Sequence, residues 1–290
     1  MPTAEQNRRM WSRYDWSLAG EEWTVGFGGP EMAWLFCIRP RIETLAPAGH
    51  VLEIGPGHGV WTQFLRPLCR RMTLVDVTER CVEACRERFG RRGMRYIHND
   101  GKSLAGVTDG SVDLAFSFNS LVHADHDAMR GYVRELARVL RPGAYAFLHH
   151  SNLAECRAEA AHLSLAELGN RGEDMSAELL RRDCAEAGLT CHVQELIPWG
   201  ARRLTDCISL VGRATPGGDR PTLVFENWKF FYPAQHMVRI GARYRPPGSG
   251  PRGWLAAAAA GEGWAGEQVR AGWDAVLKAP DEAVVVRSGA

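Results

Sequence analysis

The sequence predicts an α/β protein built on a doubly wound, mostly parallel β-sheet. From His50 onward, short apolar runs alternate with amphipathic stretches, a glycine-rich turn follows the first run, and acidic residues end the next two runs. Such alternation is typical of β-α-β units, whose strands lie parallel. At 290 residues the chain is long enough for one domain of this kind and additional segments.

Seven apolar runs are predicted as strands. They read VLEIG, MTLVDV, RYIHND, VDLAFSF, AYAFLHHS, TCHVQELIPW and DCISLVGRA. Between them, the spacing of apolar residues predicts helices over WTQFLRPLCRR, ERCVEACRERFG, DAMRGYVRELARVL and SAELLRRDCAEAGL. The first five strands are expected in the doubly wound sheet, and the last two as an antiparallel hairpin that closes it.

We predict three regions along the chain. Residues 1–44 form a tryptophan-rich lid or entry segment, which contains the flexible turn GFGGP and a helical pattern from Glu31 to Leu45. Residues 45–214 form the α/β domain, with an insertion at about 153–175. Residues 215–290 form an extension, with the aromatic run FENWKFFYP and a helical pattern around Trp254–Leu277, and this extension is expected to pack on the core.

The composition favours a small-molecule partner. The chain has 35 basic and 34 acidic residues, a formal net charge of +1, so no strong field attracts nucleic acid or an anionic membrane. The N-terminus lacks an apolar signal region, and no apolar run is long enough to span a membrane. The eight cysteines form no C-x-x-C pairs. We therefore expect a cytoplasmic protein with reduced thiols.

A glycine-rich turn follows the first predicted strand. In the run Val51 to Gly59, the glycines have the spacing G-x-G-x-G and Glu53 lies two residues before the first of them. Such a turn brings backbone N–H groups close to a ligand. The dinucleotide-binding fingerprint would require a third glycine where Val60 stands, so this pattern argues against NAD.

Two further acidic residues follow the second and third strands. Asp76 lies about 20 residues after the glycine turn, where a carboxylate can accept hydrogen bonds from both hydroxyls of a ribose. Asp100 follows the third strand, in a position to reach an adenine amino group. Because the carboxyl ends of parallel strands meet at one edge of the sheet, these residues are expected to bind one ligand.

Together these motifs resemble those of the class I S-adenosylmethionine-dependent methyltransferases over about residues 45–214. The resemblance implies a Rossmann-like methyltransferase sheet and S-adenosyl-L-methionine as the cofactor. It implies that the methionine end faces Glu53 and the glycines, that Asp76 binds the ribose, and that Asp100 and Gly101 lie along the adenine. The full predicted cofactor set is Glu53, Gly55, Gly57, Gly59, Asp76, Asp100, Gly101, Ser117, Trp16 and Trp23. The two tryptophans would form an aromatic lid that excludes water.

The acceptor is expected near the ends of the fourth and fifth strands. Methyl transfer from a sulfonium is an in-line displacement, so the enzyme must align the nucleophile and exclude water. Polar residues at these strand ends are Asn119, His123, Asp125, His149, His150 and Asn152. A histidine can accept a proton near pH 7, and adjacent strand residues point to opposite faces. We predict His123 as the base, His150 as the second choice, and Asp125 as part of the catalytic group.

A metal-dependent reaction is the less favoured alternative. The residues His123, Asp125, His149, His150 and Asp206 could supply ligands to a divalent ion. Magnesium prefers oxygen ligands, and a set rich in histidine fits it poorly. We therefore predict no metal.

The segments WSRYDWSLAGEEW, FSFNSLVHAD and LHHSN also resemble a narrower group of methyltransferases from sugar and antibiotic pathways, such as the aminoglycoside N-methyltransferases of gentamicin biosynthesis. This resemblance implies N-methylation of a cationic amino sugar. A negative surface for such an acceptor could come from Glu21, Glu22, Asp125, Asp127, Glu155 and Glu159.

Two alternatives stay open: O-methylation of a sugar hydroxyl in a glycosylated natural product, and a regulator that binds the cofactor without catalysis. Nucleic-acid methylation is disfavoured, because N-S-L-V replaces the N/D-P-P-Y/F type of base-flipping enzymes.

Overall fold

The computed structural model describes residues 3–158, 169–199, 203–213 and 221–244. The chain divides into two compact units: Met1–Asp15 with Ile42–Trp228, and Trp16–Arg41 with Lys229–Ala290. This division differs from the predicted boundaries after residues 44 and 214, because the first fifteen residues and the segment up to Trp228 group with the α/β unit. The predicted helix at Trp254–Leu277 and part of the predicted insertion lie outside the described residues.

The α/β unit is built on one eight-stranded sheet. The strands are β1 Ala48–Ile54, β2 Cys69–Asp76, β3 Met94–His98, β4 Val112–Ser117, β5 Leu140–Ser151, β6 Leu189–Ile197, β7 Asp206–Arg213 and β8 Leu223–Glu226. Their spatial order is β3-β2-β1-β4-β5-β7-β6-β8. Strands β1 to β5 are parallel, β7 is antiparallel to β5 and β6, and β8 is parallel to β6. The predicted fold class is confirmed. Because the strand order reverses between β1 and β4, a crevice opens beyond their carboxyl ends, where ligands bind in such sheets.

The α-helices are, in chain order, α1 Ala4–Arg13, α2 Pro30–Ala33, α3 Arg39–Ile42, α4 Thr62–Leu65, α5 Glu79–Phe89, α6 His126–Val139, α7 Leu153–Cys156, α8 Ala177–Glu186 and α9 Tyr232–Ala242. In the α/β unit, the buried face of α6 includes Met129, Val133 and Leu136, and these side chains join β1 residues such as Leu52 in one apolar core. Fully burying an apolar side chain of this size contributes about 1.5–3 kcal/mol. This core holds the strand ends in place.

Two elements differ from the predicted ones. The helix predicted over WTQFLRPLCRR is only α4 and a short 3-10 turn, and β2 already begins at Cys69. Pro67 has no N–H to continue a helix, so the chain turns into the strand early. Strand β8, predicted as part of an aromatic tail, pairs with β6, with Leu223 opposite Val193. Its four residues are exposed, so it has no alternation of buried and exposed residues.

The second unit contains α2, α9 and the segment around them. A continuous helical stretch runs from Pro30 through a π-helical turn at Trp34–Ile38 into α3, close to the predicted helix. Phe27 packs against Phe230 and Phe231, with ring centroids 6.1 and 4.7 Å away. In the described part of the chain, no helix has both the length and the apolar character needed to cross a membrane.

Candidate active site

The three glycines after β1 adopt left-handed backbone conformations. The φ angles of Gly55, Gly57 and Gly59 are 68°, 55° and 87°. A Cβ atom on Gly55 would lie 1.8 Å from the Oγ atom of Ser120, in the loop after β4. Only glycine adopts this conformation routinely, and only glycine leaves room for Ser120. The turn therefore lets the loops after β1 and β4 approach each other at the crevice.

Glu53 lies behind this turn, at the end of β1. Its carboxylate is buried, and it accepts a hydrogen bond from the Thr62 hydroxyl at 2.6 Å. Burial raises the pKa of Glu53 to about 8, and the nearby charge of Asp76 adds to this rise. Glu53 therefore favours a proton or a neighbouring positive charge.

Asp76 joins the loops after β1 and β2. One of its oxygens accepts hydrogen bonds from the N–H and the hydroxyl of Thr78, at 2.8 and 3.0 Å, and the other accepts the Gly57 N–H at 3.2 Å. Burial raises the pKa of Asp76 to about 6, although these hydrogen bonds act in the opposite direction. The predicted ribose carboxylate is thus held next to the glycine turn.

The remaining predicted cofactor residues of the α/β unit differ in what they do. Asp100 is exposed, and its carboxylate accepts the N–H groups of Lys102 and Ser103 at 3.0 and 2.7 Å. These hydrogen bonds lower the pKa of Asp100, against the effect of burial. Gly101 has a φ of 84° and faces Ala4. The buried hydroxyl of Ser117 donates to the Ile54 carbonyl at 2.9 Å and ties β4 to β1, and its contact with the cofactor stays a prediction.

The chemistry of this donor set fits S-adenosylmethionine. Glu53 and Asp76 are two neighbouring buried carboxyl groups with raised pKa values, so a ligand that brings positive charge and hydroxyl donors would compensate both. The cofactor carries a sulfonium charge and two ribose hydroxyls. The left-handed glycine turn lies next to Asp76, because Gly57 donates its N–H to that carboxylate.

The N-terminal helix α1 covers the loops after β3 and β4. A Cβ atom on Gly101 would lie 3.0 Å from the Cβ atom of Ala4. Asn7 donates to the His123 carbonyl at 2.7 Å, and the Trp11 ring lies 4.9 Å from the His123 ring. Helix α1, at the start of the predicted lid, therefore contacts the loops at the strand ends of the α/β unit.

Trp16 and Trp23 lie in the second unit. Their rings meet edge to face, with centroids 5.5 Å apart. Their role as an aromatic lid over the cofactor stays a prediction.

His123 has one ring nitrogen engaged. Its Nδ1 atom lies 3.1 Å from the Asn170 carbonyl, so Nδ1 carries the proton and Nε2 keeps its lone pair. Burial and the nearby Arg171 charge lower the pKa of His123 to about 4. At pH 7 the ring is neutral and weakly basic, whereas the sequence predicted a base that titrates near neutrality. The predicted catalytic residue Asp125 is the N-cap of α6, with its carboxylate accepting the Ala128 N–H at 2.9 Å.

His149, not His150, faces the loop after β4. The two side chains point to opposite faces of β5, as predicted, but His150 is fully buried with both ring nitrogens bonded, to the Ser151 carbonyl at 2.9 Å and the Ser209 hydroxyl at 2.8 Å. Burial lowers the pKa of His150 to about 4. His150 is therefore a structural residue, and its prediction as the second base is corrected.

His149 belongs to a buried network that the sequence did not reveal. Its Nδ1 atom accepts the Asn119 N–H at 3.1 Å, and its Nε2 atom lies 3.0 Å from Asp206. Arg171 donates to both oxygens of Asp206, at 3.0 and 2.9 Å. Asn119 has a left-handed backbone, with a φ of 58°. The network therefore holds the loop after β4 in a conformation that few non-glycine residues adopt.

A groove of about 590 Å³ lies along α1, the loop after β3 and the start of α6. Its charged lining consists of the carboxylates Glu5, Asp100, Asp125 and Asp127 and the cations Arg8 and Lys102. This volume is in the range of small-ligand sites. Of the other predicted acidic residues, Glu21 and Glu22 belong to the second unit, Glu155 is exposed on α7, and Glu159 lies outside the described residues.

Several residues of this site carry no recognised motif. Thr78 is signalled only by its position two residues after Asp76, a spacing at which an Asp side chain bonds the backbone. Asn7, Thr62 and Arg171 reach the site through the fold alone. Over the described residues, no group of three or more His, Cys, Asp or Glu side chains is arranged to hold a metal.

Comparisons with known proteins agree with this geometry. Residues 52–148 match the model of a family described as a methyltransferase domain. A methyltransferase of Claviceps purpurea (strain 20.1) is 33% identical over 95 residues, covering 33% of this chain and 29% of that protein. The phthiotriol/phenolphthiotriol dimycocerosates methyltransferase of Mycobacterium tuberculosis (strain ATCC 25177 / H37Ra) is 30% identical over 139 residues, covering 45% of this chain and 49% of that protein. The matches thus span less than half of these curated relatives.

Among solved structures, the N-methyltransferase NodS from Bradyrhizobium japonicum WM9, in complex with S-adenosyl-L-homocysteine, has a similar fold. The TM-score is 0.50 and the identity 21%, with 73% of this chain and 98% of that chain covered. The α/β unit therefore contains a methyltransferase domain over residues 52–148, and its fold is similar to that of NodS. The predicted enzyme class and cofactor are confirmed for this domain, whereas the resemblance to gentamicin N-methyltransferases finds no specific support in these matches.

Replacing Gly55 with alanine is expected to weaken cofactor binding and destabilise the protein by more than the backbone strain alone. Gly90 has the same φ of 68° but open space around it, so Gly90→Ala is a matched control for the strain. Forcing a side chain into a filled space costs about 1–3 kcal/mol. Calorimetry with S-adenosylhomocysteine and urea unfolding measure both effects.

A second substitution tests the cause. The only atoms close to the new Cβ belong to the Ser120 side chain, so Ser120→Gly in the Gly55→Ala background should restore most of the lost stability. Equal losses for the Gly55 and Gly90 variants, with no rescue, would show that the approach of Ser120 is unimportant.

Proposed function

We propose that this chain transfers a methyl group from S-adenosylmethionine to an amine nitrogen of a small natural-product acceptor, an amino sugar of an aminoglycoside. The observation that carries the proposal is the weak basicity of the histidines at the acceptor edge. The pKa of His123 is lowered to about 4, and burial also lowers the pKa of His149, so both rings are neutral at pH 7.

Neutral, weakly basic histidines at the acceptor edge favour methylation of an amine over methylation of a hydroxyl. A sugar hydroxyl requires a positioned base to become nucleophilic, and such a base works best with a pKa near the operating pH. Amines of low basicity titrate near pH 8, so a useful fraction is already unprotonated at neutral pH. The free Nε2 lone pair of His123 can then accept an N–H hydrogen bond and orient the amine.

Two further observations support a cationic acceptor. The groove beside α1 has four carboxylates, Glu5, Asp100, Asp125 and Asp127, against the two cations Arg8 and Lys102, which favours positively charged ligands. NodS is an N-methyltransferase, which agrees with a nitrogen acceptor, although the likeness itself concerns the fold alone.

Different residues would bind the cofactor, exclude water and orient the acceptor. When bound, S-adenosylmethionine supplies a methyl group on a positively charged sulfur. Asp76 would bind the ribose hydroxyls, while Glu53 and the glycine turn would lie at the methionine end. Helix α1 would exclude water through its contacts with the loops after β3 and β4, and His123 would orient the nucleophile.

The test is turnover of labelled cofactor with a panel of aminoglycosides, each paired with an analogue in which the amine is replaced by a hydroxyl. We expect methylation of the amines alone, with kcat/KM rising with pH according to the pKa of the acceptor amine. His123→Ala should lower turnover by about 2- to 10-fold, the loss of one hydrogen bond, whereas loss of a general base would cost about 10²–10⁴-fold. His192→Ala is the control, since this half-buried histidine lies on β6.

The alternatives make different predictions in the same experiment. Methylation of the hydroxyl analogues, abolished by EDTA and restored by magnesium, would favour O-methylation. Tight binding of S-adenosylhomocysteine without turnover on any acceptor of the panel would favour a regulator that binds the cofactor.

A further inference from the structure

A second cleft opens at the amino ends of the parallel strands, the edge opposite the glycine turn. It has a volume of about 350 Å³ and lies between the starts of β1, β2 and β3 and the residues that lead into β4. Its polar lining comprises His50, Arg71, Thr73, Arg95, Thr108 and Ser111. None of these residues takes part in the site described above.

The cleft occupies the end of a face that is otherwise apolar. His50 lies on the same face of β1 as Leu52, and Arg71 and Thr73 lie on the same face of β2 as Val75, because strand residues alternate between faces. Leu52 and Val75 belong to the apolar core. At the amino end, this face changes from aliphatic side chains to an imidazole, a hydroxyl and a guanidinium group.

The floor of the cleft is polar and held in place. His50 and Thr73 are 7% and 4% exposed. The Nδ1 atom of His50 lies 2.9 Å from the Ser111 carbonyl and its Nε2 atom lies 2.8 Å from the Thr73 hydroxyl, so each nitrogen has a partner. Burial, with the charges of Arg71 and Arg95, lowers the pKa of His50. The His50 ring is therefore neutral at pH 7 and adds no charge to the cleft.

Two arginines at the rim carry uncompensated charge. Arg71 and Arg95 come from neighbouring strands, with Thr73 opposite Arg95 in the register. Arg71 donates to the Ser111 carbonyl at 3.3 Å, and among the described residues neither arginine forms an ion pair. The nearby acid, Asp113, pairs with Arg141. Arg66, Arg70, Arg91 and Arg92 lie near the starts of the same two strands and add positive charge.

We propose that this cleft binds a phosphoryl group, as inorganic phosphate or as the phosphate of a small phosphomonoester. A phosphate near pH 7 carries about 1.5 to 2 negative charges, which comes closer to matching the two guanidinium groups than the single charge of a carboxylate does. A guanidinium group can donate two parallel hydrogen bonds to two phosphate oxygens. The Thr108 hydroxyl at the rim can donate to a third oxygen. The volume suits one small ligand. The site is separate from methyl transfer and does not depend on the function proposed above.

The test is calorimetric titration of the full chain with inorganic phosphate at constant ionic strength, with sodium chloride replacing phosphate in the blank. We expect saturable binding to wild-type protein. Arg71→Gln and Arg95→Gln should each weaken it by about tenfold or more, the loss expected for a charge-assisted hydrogen bond. Arg92→Gln, which removes an exposed arginine outside the cleft lining, is the matched control for lost charge and should weaken binding much less than either cleft variant. Arg95→Lys should recover part of the affinity, because it keeps the charge.

Glucose 6-phosphate and glucose form the second arm. Tighter binding of the sugar phosphate than of phosphate would identify a phosphomonoester as the ligand, and equal binding would identify the free anion; glucose should not bind. Thermal unfolding of each variant checks that it is folded. Absence of saturable phosphate binding, or the same loss in Arg92→Gln as in the cleft variants, would overturn the proposal.

Discussion

Asp206→Ala is expected to destabilise the protein by about 3–5 kcal/mol, the loss typical of breaking a buried ion pair by removing one partner. Asp206 is fully buried, and it accepts hydrogen bonds from Arg171 at 3.0 and 2.9 Å. Without the carboxylate, the Arg171 guanidinium, on a residue that is only 5% exposed, would keep its charge with only the neutral Gly169 carbonyl, at 3.1 Å, as acceptor. A guanidinium group does not deprotonate in proteins, so the charge would remain.

Urea unfolding measures this loss, and a surface ion pair is the control. Lys102 and Asp127 are 3.3 Å apart with side chains 52% and 82% exposed, so Asp127→Ala should change the free energy of unfolding by less than about 1 kcal/mol. Asp206→Asn keeps a hydrogen-bond acceptor for His149, so its loss in free energy of unfolding should lie between those of Asp206→Ala and Asp127→Ala. If Asp206→Ala were as mild as Asp127→Ala, the network would not hold the loop after β4.

Asp76→Ala is expected to reduce affinity for S-adenosylhomocysteine by about 30- to 1000-fold, corresponding to roughly 2–4 kcal/mol for two charge-assisted hydrogen bonds. Asp76 is buried beside the glycine turn and its carboxylate also accepts the Gly57 N–H. Asp100→Ala is the comparison, because the exposed Asp100 carboxylate bonds to its own turn, and its loss should be smaller. Calorimetry on folded variants measures both.

The affinity of the wild-type protein should depend on pH through the same carboxyl group. Burial raises the pKa of Asp76 to about 6, and the ribose hydroxyls need the ionised form as an acceptor. The contribution of Asp76 to binding should therefore be complete above about pH 7 and should fall about tenfold for each pH unit below 6, as protons compete with the ligand. The fall should be absent in Asp76→Asn. Unchanged affinity in Asp76→Ala, or no decline at low pH, would remove Asp76 from the cofactor site.

Much of the candidate cofactor site could be predicted because its signals are local. A left-handed turn requires glycine at Gly55, Gly57 and Gly59 whatever surrounds it, and Asp76 follows directly from the end of a strand. Strand and helix positions follow from the spacing of apolar residues. The helix predicted before β2 is wrong beyond Leu65, because Pro67 has no N–H to continue it.

The acceptor side was less predictable, because basicity depends on burial and on partners distant in sequence. In the sequence, His123 and His150 look equivalent to His149. In the structure, burial lowers the pKa of His123 to about 4. Both ring nitrogens of His150 have hydrogen-bond partners within the core. Arg171 and Asp206 are 35 residues apart, and nothing local to either residue indicates that they meet.

The sequence by itself thus determined the class of sheet, the glycine turn and the carboxylates at the strand ends, since backbone conformation and apolar periodicity are properties of neighbouring residues. Only the tertiary structure decided which histidine faces the loop after β4, that α1 covers this edge, and that β8 extends the sheet beside β6. Each of these depends on burial or on a hydrogen bond between segments far apart in the chain, and both arise only when the chain is folded.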